Sequence, residues 1–403
     1  MAAKVEHVQA YGHKAAYVAL RLSAVVALIV LGAFQAQAED GFVTVRDGRF
    51  VQGDRPFPVV GANNHYLTFG SAAEVTRVLD DAVAMHATVI RTFIQPVIGS
   101  RDGTTTPTIW DWKSRADASN LGVGGTYMLY WDAERGEMGI NDGADGLGRL
   151  DFLMAEARKR DLKLIVAFLD FWAYTGGAQQ MRAWYGSNDQ NTFFFADPRT
   201  KRNYKDWIGH VLDRVNGITG VRYRDDPTIF AWELMNEANI DPKELRDNWL
   251  AEMAAYVKSL DAKHLLASGG ANVRDELADI AIPGFDFGVW HGYPLYYNLS
   301  PIQFDLLISK FCAIGRAYNK PVVLEEFGFA RSNRDQAIVY RMWLDTLRSS
   351  PGCGGWLVWR LVSLQDSGRY PEDRHDQFDI HNDGGEVWRA VKDAALRERA
   401  RTD

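Results

Sequence analysis

Glu237 closes the run Trp232-Glu233-Leu234-Met235-Asn236-Glu237, and 89 residues later Glu326 stands in Leu324-Glu325-Glu326-Phe327-Gly328. Each acid follows a short apolar run, Thr228-Ile229-Phe230-Ala231 in one case and Pro321-Val322-Val323-Leu324 in the other. A buried parallel strand reads this way when it delivers a polar residue from its C-terminal end. Two acids delivered by separate strands suit the cleavage of a glycosidic bond, in which one protonates the leaving oxygen while the other attacks or activates water. The pair therefore reads first as that of a glycosidase.

Further polar and aromatic residues stand at what read as other strand ends: Asn63-Asn64-His65-Tyr66, Arg91, Asp170-Phe171-Trp172, His291-Gly292-Tyr293 and Trp359. A lone Glu at a strand end is most often a salt-bridged structural residue, but two of them in this company point to one pocket. Glu233 lies four residues before Glu237, roughly 13 Å deeper at the rise of a strand, and is expected to have a structural pairing. Glu325 and Glu326 face opposite ways if both lie in a regular strand, so one of them points into the site, and spacing does not choose which.

The elements that must position these residues are apolar β-rich runs alternating with helical patterns, the signature of βαβ units and a parallel sheet. Eight strands are expected at 59–61, 88–93, 162–168, 228–235, 264–268, 285–290, 321–325 and 355–361. Helices are expected at 72–85, 151–160, 204–216, 243–260, 304–318 and 336–347, with 386–399 closing the chain. Phe42 to Val51 alternates about Asp47-Gly48, a strong hairpin signal placed at the barrel floor. The fold class is thus α/β, a (β/α)8 TIM barrel with an N-terminal β-hairpin and long loops on the catalytic face. Those loops run from 94 to 146, 170 to 201 and 362 to 385, all as irregular segments following strand C-termini. A doubly wound sheet would call for a Gly-rich phosphate turn after an early strand, and none is present.

Residues 1–38 carry Lys4, Lys14 and Arg21, an apolar core from Ala24 to Phe34, and then Ala36-Gln37-Ala38. They read as a cleaved secretory signal, too short in its apolar run to span a bilayer, which leaves 39–403 as a single catalytic domain that is secreted or periplasmic. Losing them moves the formal charge from -7 to -9. An acidic chain without a basic block is expected to bind neither nucleic acid nor, after cleavage, the membrane. Cys312 and Cys353, the two cysteines, are read as free buried thiols, with a disulfide as the alternative that an exported chain permits. Without a CxxC or Cys/His cluster, no metal and no cofactor are expected. The run 141–146 does not place its acids as a calcium loop does, and no GxSxG elbow or HExxH helix is present. Asn298-Leu299-Ser300 fits a glycosylation acceptor.

The run Asp226 to Glu237, with Ile90-Arg91-Thr92 upstream and Glu326-Phe327-Gly328 downstream, closely resembles the β-mannanases of glycoside hydrolase family 5. Val59 to Asn64, Gly176-Gly177, Arg214 to Val221 and His291-Gly292-Tyr293-Pro294 support the resemblance, which covers residues 42 to 395. It implies that Glu237 is the general acid/base and Glu326 the nucleophile, acting with retention at a carboxyl separation of roughly 5 Å. Glu237 then needs a raised pKa, and Glu326 needs to stay ionised, held so by Arg91 and Tyr293. The resemblance also implies that Asn236 meets the sugar 2-hydroxyl, that His291 and Asn63 line the same subsite, and that Trp359 is the aromatic platform beneath the sugar. Trp172, Trp184, Trp110, Trp112 and Trp131 lie in the long loops as candidates for outer subsites. The implied substrate is β-mannan or a manno-oligosaccharide, and a monomer is expected. Asp170 stands where the family usually has Asn, Ala238-Asn239-Ile240 departs from its usual Pro and Arg-Cys, and the loop 97–137 is longer than common. Such a loop, if it walled one end of the cleft, would make an exo-β-mannosidase. A β-1,4-glucanase on the same barrel and a non-catalytic carbohydrate-binding barrel are the other readings, the last requiring loss of one of the two acids.

Overall fold

Asp47 and Gly48 both adopt left-handed backbone, with φ of 51° and 68°, as a two-residue hairpin turn requires. They join strands β1 (Val43–Arg46) and β2 (Arg49–Gln52), and a short β3 (Arg55–Pro56) makes this a three-stranded antiparallel sheet. In this computed structural model residues 41–107, 120–270, 277–372 and 376–401 are described. The expected signal segment 1–38, Trp110 and Trp112 lie outside the described residues.

The hairpin closes one end of an eight-stranded parallel sheet. Its strands are β4 (Val59–Asn63), β5 (Val89–Phe93), β9 (Lys163–Ala167), β10 (Ile229–Glu233), β11 (Leu265–Ala267), β12 (Gly288–Gly292), β13 (Val322–Phe327) and β14 (Cys353–Val358), in the order β11-β10-β9-β5-β4-β14-β13-β12. Between β11 and β12 there is no ladder. Asp286 closes that seam instead, its N–H donating to the Leu266 carbonyl at 2.9 Å and its carboxylate accepting from the Leu266 N–H at 2.8 Å. The expected (β/α)8 barrel is therefore the fold.

Inside the barrel floor, Val59, Val89, Ile165, Phe230, Leu265, Phe287, Val323 and Leu357 pack with Val43 and Phe50 of the hairpin. Phe50 meets Phe230 and Phe287 edge to face, with centroids 5.1 and 5.3 Å apart, so the hairpin is the apolar plug expected of it. A larger core separates the barrel from the surrounding helices. Those helices carry their start signals: Ser71 with Glu74 and Ser300 with Gln303 form capping boxes for Ala72–Ala84 and Pro301–Tyr318. The helix expected from Tyr204 starts six residues earlier, because Asp197 caps it and Pro198 takes its first position.

Two expectations are corrected here. The first long loop is not irregular, since β6 (Val97–Ser100), β7 (Leu129–Asp132) and β8 (Glu137–Ile140) form a small sheet of their own. Trp184 fastens it from the neighbouring loop by donating to the Ile98 carbonyl at 3.0 Å and packing on Trp131. Cys312 and Cys353 are not free thiols. The helix Pro301–Tyr318 packs over β13 and β14 and brings the two Cα atoms to 4.6 Å, and the sulfurs are bonded. Among the described residues no helix is long and apolar enough to cross a membrane.

Candidate active site

Arg91, fully buried at the third position of β5, is the hub of the barrel mouth. Its Nε donates to Glu233 at 2.9 Å, one terminal nitrogen to Asn63 (3.0 Å) and Glu326 (2.5 Å), and the other to Asn236 (2.9 Å). A guanidinium presents five N–H groups in a fixed fork, so this one residue sets the relative positions of side chains from β4, β10 and β13. Asn63 is itself held by donating to the Glu325 carbonyl at 2.7 Å. The expected structural pairing of Glu233 is thus with the same arginine that holds Glu326.

The regular alternation expected of Glu325 and Glu326 does not occur. The β12–β13 register pairs Trp290 with Leu324 and His291 with Glu326, leaving Glu325 as the extra residue of a bulge. Both carboxylates consequently lie on the Arg91 side, Glu325 with an oxygen 3.4 Å from Nε and fully buried, Glu326 at the mouth. Burial drives the Glu233 carboxyl well above the ordinary range, with the Glu325 charge adding to it and Arg91 opposing. Burial pushes Glu325 up too, but Arg91, a hydrogen bond from Glu233 and His291 outweigh it and hold it low. Glu233 is therefore a neutral acid donating to the Glu325 carboxylate, which accounts for the buried Oε1 atoms of both residues that no N–H group reaches.

Glu237 lies just beyond β10 in left-handed backbone, with φ of 49°, its N–H donating to the Gly269 carbonyl at 2.9 Å. Its carboxylate accepts from Trp172 Nε1 at 2.6 Å and meets His291 Nδ1 at 2.7 Å. Glu326 accepts from the Tyr293 hydroxyl at 2.6 Å. Glu237, His291 and Glu326 each offer an atom within 4.8 Å of the others. Every one of those carboxylate oxygens already accepts from Trp172, His291, Arg91 or Tyr293, an arrangement for holding and moving protons rather than for ligating an ion.

The proton balance between the two acids is the reverse of that expected. Burial lifts the Glu237 carboxyl, but the hydrogen bond and charge of His291, the Trp172 donation and Arg91 outweigh it and hold it below the ordinary value. Burial raises Glu326, and the Glu237 charge adds to that against His291, Arg91 and Tyr293. Burial works against the His291 cation too, yet the surrounding carboxylates, Glu326 foremost, push its pKa up to about 10. The proton between Glu237 and His291 thus rests on the imidazole. Its shift along the 2.7 Å contact converts Glu237 into an acid and leaves a neutral ring.

Asp170, three residues beyond β9, accepts from the Asn236 side chain at 2.9 Å and pairs with it as an isolated bridge. Burial pushes its carboxyl up to about 7, helped by the charges of Glu237 and Glu326 and opposed by the Asn236 and Trp172 donations. Trp359 is half-buried, its ring 6.3 Å from Phe93, over which Arg91 also lies. Asn63, Arg91, Trp172, Asn236, Glu237, His291, Tyr293 and Glu326 therefore form one hydrogen-bonded constellation, with Trp359 beside it. Sequence reasoning missed the pair Gly269-Gly270, whose φ values are 103° and 107°. A Cβ on Gly270 would stand 2.5 Å from His291 Nε2, and one on Gly269 would stand 2.0 Å from the Met235 carbonyl. The signal was a Gly-Gly step at a strand end. It also missed Phe378, stacked on Tyr293 with a 5.3 Å centroid distance and 7° between planes, which no local pattern announces.

A (β/α)8 barrel whose strand ends hold two carboxylates this close is a glycoside hydrolase in class. Residues 140–282 match the family model described as GH family 5 beta-mannosidase-like. The chain is 30% identical over 375 residues to mannan endo-1,4-beta-mannosidase 3 of Arabidopsis thaliana, covering 82% of this chain and 84% of that one. It is 31% identical to putative mannan endo-1,4-beta-mannosidase 9 of Oryza sativa subsp. japonica, with 84% and 86% covered. The solved endo-1,4-beta-mannanase of Rhizomucor miehei superposes with a TM-score of 0.75 at 25% identity, over 89% of this chain and 99% of that one. The chain belongs to glycoside hydrolase family 5.

Proposed function

We propose that the chain is an exported mannan endo-1,4-β-mannosidase that cleaves β-1,4-mannosidic bonds in mannan, glucomannan or galactomannan by double displacement. The observation that carries this reading is the approach of Glu237 and Glu326, with carboxylate oxygens within 4.8 Å. Retaining pairs sit roughly 5–5.5 Å apart, whereas inverting pairs leave roughly 6.5–9.5 Å for a water. Glu326 attacks the anomeric carbon as Glu237 protonates the departing oxygen with the proton it shares with His291. Glu237 then deprotonates the water that releases the glycosyl-enzyme. Asn236, fixed between Arg91 and Asp170, faces the sugar 2-hydroxyl, while Tyr293 and Arg91 keep Glu326 aimed and ionised when Glu237 is neutral. Asn63 holds Arg91, and Trp359 and Trp172 offer aromatic faces on either side of the cut.

Mannan as substrate is supported by the names of the plant relatives, and the disulfide suits export to an oxidising compartment. Residues 1–38 are then the cleaved signal and 39–403 the single catalytic domain, acting as a monomer. The test is incubation of the mature chain with mannohexaose, with products and the anomer first formed resolved at early times. A spread of mannobiose to mannotetraose as the β-anomer is expected. Mannose with mannopentaose alone overturns endo action, and an α-anomer overturns retention.

A further inference from the structure

Glu325 is a buried charge to which the double displacement above gives no part. In a regular strand it would turn away from Glu326, toward the surrounding helices. The register shift between Trp290 and His291 turns it inward instead, and bulges beside active sites are where a strand re-aims a side chain. Its carboxylate is fully buried, 3.4 Å from Arg91 Nε and 3.4 Å from His291 Nε2, and Asn63 pins its backbone by donating to its carbonyl at 2.7 Å. An apolar side chain in its place would avoid the cost of burying a charge, so its partners indicate what the charge serves.

Arg91 alone does not account for it. The arginine directs its hydrogen bonds to Glu233, Asn63, Glu326 and Asn236, and Glu233, a neutral acid, donates to Glu325 in turn. Among the described residues the remaining partner is His291, whose two nitrogens serve opposite sides. Nδ1 meets Glu237 at 2.7 Å and lies 3.6 Å from Glu326, while Nε2 has Glu325 as its one hydrogen-bond partner among the described residues. The missing side chain of Gly270 leaves room for that edge of the ring. A row of groups thus runs from beneath the mouth to the acid: Glu233, Glu325, His291, Glu237.

A neutral imidazole carries one hydrogen, and the hydrogen bond made at one nitrogen decides which of the two keeps it. A carboxylate at Nε2 keeps the hydrogen there, so Nδ1 is the nitrogen that gives up a proton and takes one back. The charged and titratable groups facing this pair come from every strand around it: Arg91 from β5, Asp170 beyond β9, Glu237 beyond β10, Tyr293 beyond β12, and Glu325 and Glu326 from β13. Of the three carboxylates against the ring, Glu237 receives the proton, and Glu326 loses its charge when it joins the sugar. Glu325 is the one that keeps its charge through both steps, while the proton passes from Nδ1 through Glu237 to the departing oxygen and a proton of the attacking water returns by the same path.

We propose that Glu325 is a positioning residue for the proton transfer: accepting from His291 Nε2, it keeps that nitrogen protonated and leaves Nδ1 as the atom that exchanges its proton with Glu237. The proposal rests on the glycosidase reading above, with Glu237 as acid and base. Its test is the pH dependence of kcat/KM on mannohexaose for the native chain and for Glu325→Gln, which keeps the size and loses the charge. In that variant Glu233 ionises against Arg91, so the buried arginine stays neutralised, and circular dichroism is expected to show the native fold. The proton shared by Glu237 and His291 is lost as pH rises and is held by an adjacent anion, so the alkaline limb of the variant moves down by about one pH unit. Glu325→Asp, which keeps the charge, moves it less. At neutral pH the variant loses roughly tenfold on mannohexaose and less on dinitrophenyl β-mannobioside, whose leaving group needs no proton. The same ring is read without turnover from 15N spectra of histidine-labelled protein, with His291 assigned by its absence in His291→Asn. Its pKa is expected to fall in Glu325→Gln, and the native neutral ring to carry its hydrogen on Nε2. An unmoved limb, an unmoved ring pKa, or a native ring protonated on Nδ1 overturns the proposal. A native chain that hydrolyses neither substrate overturns the glycosidase reading instead, and the spectra then decide the role of Glu325 by themselves.

Discussion

Arg91 gives one guanidinium to three carboxylates, Glu233, Glu325 and Glu326, and the site resolves the excess negative charge by keeping Glu233 protonated. Removing Glu326, the proposed nucleophile, therefore leaves the rest of the network in place. Glu326→Ala is expected to lose roughly four or more orders of magnitude in kcat while still binding mannohexaose in calorimetry. Appreciable residual turnover would transfer the nucleophile's role elsewhere. Asp170 offers a pH-dependent test. Its carboxyl, lifted to about 7 when folded, is neutral in both states below the ordinary carboxyl value and charged only in the unfolded state between that value and 7. Its contribution to stability is whole at low pH and lost as pH rises through that window, at up to about 1.4 kcal/mol per unit. Asp170→Asn should accordingly show a smaller drop in unfolding free energy between pH 5 and pH 8 than the native chain. An identical drop would mean that Asp170 is ionised throughout.

Elements account for what the residues could not announce. The strand-end acids were legible because a buried apolar run that stops at a carboxylate is an unusual pattern, and Arg91, Asn236 and His291 were legible by the same logic. The bulge at Glu325 was not, since it depends on how β13 registers with β12 rather than on either sequence alone. The same holds for Gly269-Gly270, where only the assembled site shows that a side chain has no room. Gly270→Ala should displace His291, lowering kcat/KM by about tenfold or more while the protein remains folded, as activity assays beside circular dichroism would show. Full activity would show that the imidazole yields without consequence. The disulfide eluded sequence reading for a related reason, because only the packing of the helix Pro301–Tyr318 over β13 and β14 brings the sulfurs together. It closes a stretch of 41 residues. The paired change Cys312→Ser and Cys353→Ser is expected to cost roughly 3–4 kcal/mol in chemical denaturation, and no change would mean that residual structure already restrains the unfolded chain without the crosslink.

At the scale of the molecule, the barrel was readable because eight apolar runs alternating with amphipathic helices leave few other architectures. The small sheet β6–β8 was not, because its strands are four residues each, β6 buried throughout and β7 and β8 mostly half-buried, which leaves no alternation to read. The barrel is also not uniformly fastened. At the β11–β12 seam Asp286 stands in for a ladder, so the amides of Leu265–Ala267 and Gly288–Gly292 should exchange with deuterium sooner than those of β5 and β9. Equal protection would mean that the seam opens only with the whole barrel. The hairpin at the floor has a temporal consequence. It is the first described part of the chain to be made, yet Phe50 finds its neighbours in Phe230, Phe287 and Gly354 of β14, the last of them some 300 residues downstream. Throughout synthesis the hairpin waits with its apolar face uncovered, and the barrel is sealed from below only when nearly the whole chain has emerged.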